Sequence, residues 1–66
     1  MKDLAWTRGK ADMLTIYTAE DSDRQYAIRQ SYDSDAWELI IDGLFRAEGK
    51  TAKELKAYAI EYRKIN

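Results

Sequence analysis

Cysteine, histidine and proline are all missing from these 66 residues, and glycine occurs only three times. Without cysteine there is no disulfide framework, no thiolate metal site and no thiol nucleophile. Without histidine the chain lacks the commonest general base at neutral pH, and no relay of the serine–histidine kind can form. The glycines stand apart, at Gly9, Gly43 and Gly49, so there is no phosphate-cradling loop, and no proline marks a linker. No apolar run approaches the roughly 18 residues that cross a bilayer, and no apolar stretch follows the N-terminus. These absences lead us to expect a soluble cytoplasmic protein, residues 1–66 forming one small domain, with no cofactor and no membrane partner.

What is present is charge, close to balanced, and aromatic side chains. Eleven Lys and Arg face twelve Asp and Glu, for a net charge of −1, so no large field draws the chain to nucleic acid. The balance shifts along the sequence: residues 1–19 carry +1, residues 20–49 carry −5 and residues 50–66 carry +3. Five Tyr, two Trp and one Phe give 12% aromatics. A domain of about 60 residues buries only about 60% of its unfolded surface, so such a core needs dense packing or a partner subunit, and a homodimer is one expectation.

Hydrophobic periodicity predicts an α+β protein: an antiparallel β-sheet of two or three strands followed by an αα-hairpin packed on one face, in the order β(β)β-α-α. Residues 13–19 and 24–30 are rich in β-branched and aromatic residues and read as a hairpin about a polar turn at 20–23. We expect Leu14 and Ile16 to share the core face with Tyr26 and Ile28, which requires paired positions to sum to an even number. Tyr17 and Arg29 then point outward. Leu4 and Trp6 alternate with polar neighbours, suggesting a third strand at 3–8 ending in a turn at Arg8-Gly9-Lys10. Asp35 and Glu38 resemble a capping box, and Trp37, Ile40, Ile41, Leu44 and Phe45 follow at helical spacing, with Gly49 as a left-handed stop. Thr51 and Glu54 form a second capping box, and Leu55, Tyr58, Ala59, Tyr62 and Ile65 line one stripe of a second helix. The expected core is Leu14, Ile16, Tyr26, Ile28, Trp37, Ile40, Ile41, Leu44, Leu55, Tyr58 and Tyr62.

Chemistry-bearing constellations are few. The acids at Glu20, Asp21 and Asp23, and at Asp33 and Asp35, lack the ligand spacing and glycine of a calcium loop and are better explained as turn formers and a helix cap. Ser22, Ser31 and Ser34 have no base to activate them. We therefore expect no enzyme, no catalytic residue and no metal site. The sequence favours a small non-enzymatic protein-interaction module, such as an adaptor, regulator or inhibitor of the kind phages make. The alternative is a nucleic-acid-binding regulator using the basic face of the C-terminal helix, where Lys53, Lys56, Arg63 and Lys64 fall in one sector with Lys50 just before it. The stretch Glu48-Gly-Lys-Thr-Ala-Lys-Glu-Leu55 resembles the turn into the middle helix of winged-helix domains, although no third helix follows to enter a groove. Two apolar residues fall outside their stripes. Ile60 lies within the basic sector and is a candidate partner contact. Leu39 lies among Glu38, Asp42 and Arg46 with Gly43 one turn on, as though a second element packed there. The candidate partner-binding residues are thus Ile60, Lys53, Lys56, Arg63, Lys64, Tyr17 and Arg29.

Overall fold

A computed structural model describes residues 4–21 and 24–65. Among these residues five strands form one antiparallel sheet in the order β1-β2-β3-β4-β5, and a single C-terminal helix packs on one face. The elements are β1 (Thr7–Ala11), β2 (Leu14–Asp21), β3 (Arg24–Gln30), β4 (Trp37–Ile41), β5 (Leu44–Gly49) and α1 (Ala52–Ile65). The α+β class stands, but the expected two or three strands and the helical hairpin do not. The segment read as a first helix is the β4–β5 hairpin.

Asp42 and Gly43 explain that difference. They are the only residues between β4 and β5, with φ of 53° and 83°. Two consecutive positive φ values are the signature of the mirror-image turn that matches strand twist, and Asp-Gly is among its preferred sequences. The Asp42 N–H donates to the Gln25 carbonyl at 2.8 Å and its Oδ1 accepts from Gln25 N–H at 2.9 Å, tying the turn to β3. Trp37, Leu39 and Ile41 then alternate toward the helix, and Leu39 is fully buried. Leu39 is misplaced only on a helical wheel; at period two it is core. Asp35 caps nothing and lies exposed in the loop before β4.

The β2–β3 hairpin exists, but its register is the reverse of the expected one. Tyr17 pairs with Ile28 and Ile16 with Arg29, an odd sum. Strand pairing continues to Asp21 and Arg24, leaving only Ser22 and Asp23 between the strands, two residues outside the described set. So short a connection puts Tyr17 and Ala19 on the face of Tyr26 and Ile28, and turns Leu14 and Ile16 to the other. The N-terminal strand also shifts. β1 begins at Thr7, after Leu4 and Trp6, and turns at Asp12-Met13 rather than at Arg8-Gly9-Lys10. Residue 3 lies outside the described residues.

The core sits between sheet and helix: Leu4, Ala19, Tyr26, Ile28, Leu39, Ile41, Leu55 and Ala59 are buried, with Trp6, Tyr17, Trp37, Ala47, Ala52 and Tyr62 packed around them. Of the expected core, Tyr26, Ile28, Ile41 and Leu55 are buried, whereas Leu14, Ile16 and Ile40 are half-buried and Leu44 and Tyr58 are exposed. The capping box at the start of α1 forms as read: Glu54 N–H donates to Thr51 Oγ1 at 3.2 Å, and Glu54 Oε2 accepts from the Lys50 and Thr51 N–H groups at 2.8 and 3.3 Å. Gly49 serves close approach rather than a left-handed stop. A Cβ there would meet Leu55 Cδ2 and Glu54 Oε2 at 3.3 Å.

Candidate docking site

The basic sector of α1 is divided by the way the helix seats on the sheet. Lys56 turns inward, with Nζ 4.2 Å from the Tyr17 ring centroid and 6.0 Å from that of Trp6. Arg63 also turns inward, donating from Nε to Asp21 Oδ2 at 2.8 Å, its side chain 15% exposed. Lys53 and Lys64 stay exposed, Lys64 within 3.6 Å of Glu61. Ile60 is half-buried. It lies one turn from both Lys56 and Arg63, so the inward face extends toward it and it no longer marks the centre of an outer sector. Tyr17 belongs to the helix-covered face, 5.9 Å from the Trp37 ring. Arg29 does point outward, where its Nε meets Glu38 Oε1 at 3.1 Å. The structure therefore does not bring the seven residues together as one surface.

Large apolar side chains are exposed elsewhere. Leu44, Phe45 and Tyr58 are each about half exposed, at 58%, 54% and 47%, and all three lie on β5 or on the helix beside it. β5 is the last strand, and one side of its backbone has no partner strand among the described residues. Its register slips between Leu39 and Ile40 of β4, where Leu39 faces Ala47 and Ile40 faces Phe45, so Arg46 is the extra residue of a bulge. Arg46 then reaches the Tyr62 ring at 5.8 Å, and the Arg24 guanidinium lies 5.0 Å from the same ring. Between β5 and α1 runs an open trough of about 490 Å³, floored by Ala47, Gly49, Leu55, Ala57 and Tyr58. Glu48, Glu54 and Glu61 line its sides, and no cation does.

The bare face of the sheet carries a second depression of about 730 Å³ over Thr18, Ala27 and Ile40, between Thr7 at one end and Glu20, Gln25 and Gly43 at the other. Its lining is mostly small side chains with Ile40 among them, and Glu20 is the one carboxylate there among the described residues. Among the described residues no group of three or more Asp and Glu is placed to hold a metal ion, and no helix is long and apolar enough to cross a membrane. Sequence reasoning missed the β5 flank because Leu44 and Phe45 were assigned to a helix. The Asp42-Gly43 pair was the signal that could have found it.

Comparison with protein-family models, with curated proteins and with solved structures gives no match.

Proposed function

We propose that this chain is a small, cytoplasmic, non-enzymatic protein-binding module, and that it binds through the β5 flank. The observation that carries this reading is the edge of β5, free among the described residues, with Leu44 exposed on the helix side of the sheet, Phe45 on its bare side and Tyr58 on the adjoining helix. Single exposed apolar residues are ordinary, but an open strand edge with apolar side chains exposed beside it is a ready template for pairing with another chain. The nucleic-acid alternative loses support from the inward turn of Lys56 and Arg63, since two of its four cations already serve the fold. The test is paired affinity capture from the native cell, comparing the tagged chain with its Leu44→Ser/Phe45→Ser variant. Both positions are more than half exposed, so the variant should keep its fold by circular dichroism while losing the captured protein. Equal recovery by the two would overturn the reading.

A further inference from the structure

The trough beside β5 has a shape and charge that specify more than a generic contact. Its two walls are an edge strand, with one side free of a partner strand among the described residues, and a helix, the arrangement in which an extended peptide can add to a sheet. The bulge at Arg46 determines which part of β5 is usable. Beyond it Ala47, Glu48 and Gly49 keep regular register with Leu39, Glu38 and Trp37, and these same three residues line the trough. The opposite edge offers no equivalent: β1 is exposed along its whole length, carries Arg8 and Lys10, and makes no contact with α1.

Charge settles the occupant. Glu48 faces Glu38 across the strand pair, and Arg29 compensates Glu38 from the far side. Glu48 is therefore left as a like charge at the rim of the sheet, directly across from wherever a sixth strand would place its own side chain. Glu61, on the helix wall, already has Lys64 Nζ within 3.6 Å. Glu54 is committed to the helix cap. We propose that this groove binds an extended peptide of alternating apolar and basic residues as a sixth strand. The inference rests on the protein-binding reading above and names the chemistry of the partner. Apolar side chains opposite Ala47 and Gly49 turn toward Leu55 and Tyr58, while a cation opposite Glu48 meets its carboxylate.

The probe is a capped hexapeptide alternating lysine and valine, titrated into the full chain and followed by amide chemical shifts. Two further peptides accompany it, one with glutamate for lysine and one methylated on alternate backbone nitrogens. The expected result is shifts centred on Ala47, Glu48 and Gly49, with at least about tenfold weaker binding of both other peptides. Glu48→Lys should weaken the lysine peptide about tenfold. The Glu48 side chain is exposed and does not hold the core, so the variant remains folded, which its amide spectrum verifies. Equal binding of the lysine and glutamate peptides overturns the proposal, as does undiminished binding of the methylated one. Shifts confined to Thr18 and Ala27 overturn it in favour of the bare sheet face. Sedimentation of the free chain at twice 7.7 kDa, with β5 amides already protected, gives the edge to a second copy instead. If the peptides fail while the Leu44→Ser/Phe45→Ser variant still loses its captured protein, strand addition falls and the protein-binding reading stands.

Discussion

Tyr26 is buried in the core with its ring edge 6.4 Å from Trp6, and its hydroxyl has no hydrogen-bond partner among the described residues. Burial pushes its pKa above the usual 10.0 and the Asp21 carboxylate pushes the same way, against the opposing pull of Arg24 and Arg63. A phenol whose pKa is raised on folding gives stability that is complete below about 10 and lost as pH climbs from there through the folded value, because the unfolded chain ionises first. Tyr26→Phe should remove the Tyr26 share of that alkaline loss. It should also raise stability at neutral pH by about 1 kcal/mol, since an unpaired buried hydroxyl is costly. Urea titrations at about pH 7 and about pH 11 measure both effects, and a lower midpoint at neutral pH would show that the hydroxyl is satisfied. Tyr32 also has a raised pKa, through its 2.8 Å hydrogen bond to Asp12, but its side chain is exposed and Tyr32→Phe should leave most of the alkaline loss in place. Leu39 is the sharper test of packing. Fully buried, it should cost about 2–5 kcal/mol as Leu39→Ala, close to the whole stability of so small a domain. A change below about 0.5 kcal/mol is the range of surface substitutions and would remove Leu39 from the core.

Two of the hairpins use the same kind of turn with different chemistry. Asp12-Met13 and Asp42-Gly43 each hold two residues at positive φ, but Met13 at 69° carries a side chain that is 92% exposed, where Gly43 has none. A left-handed conformation costs a side-chain-bearing residue about 1–2 kcal/mol. Met13→Gly should therefore stabilise the chain by about 0.5–1 kcal/mol, after the greater freedom of glycine in the unfolded state is offset. Gly43→Ala should destabilise it by at least about 1 kcal/mol. Thermal melts of the pair check both signs, and movement in the same direction would contradict the turn geometry. Those turns also explain what could be read from the sequence. The β2–β3 strands and the Thr51–Glu54 cap were legible because both signals are local. Residues 37–45 were not, because Trp37, Ile40, Ile41, Leu44 and Phe45 satisfy helical spacing while also lying on the two faces of a hairpin. The remainder at Leu39 and the Asp-Gly pair favoured strands. The β2–β3 register failed for a different reason: apolar residues occupy both faces of β2, so alternation alone could not say which face was core. The candidate site suffered in turn. Tyr17 and Lys56 were placed outside by the wheel and the wrong register, and the structure sets them against one another.

At the scale of the whole molecule, α1 is the only helix among the described residues and, with Leu4 and Trp6 beside it, covers one face of the sheet. It packs against β3, β4 and β5 and is anchored at its far end by Arg63 and Asp21. Removing residues 52–66 should leave the aromatic and branched side chains of that face in water, and sheets of so few strands need such a cover or a partner. The shortened chain should lose its near-ultraviolet dichroism and associate with itself, whereas retention of a sharp melting transition would mean that the sheet is stable alone. Strand order has a kinetic consequence. Every strand pairs with its neighbours in sequence and no connection crosses the sheet, so each hairpin closes over a short loop, an event of about 1–10 μs. The sheet can assemble by successive zipping, with docking of α1 as its longest-range step. Because the chain has no proline, no prolyl isomerisation can add a phase of tens of seconds. Refolding by stopped flow should thus finish without a slow tail, and a copy that unfolds should return to its binding-competent form without waiting on a backbone isomerisation.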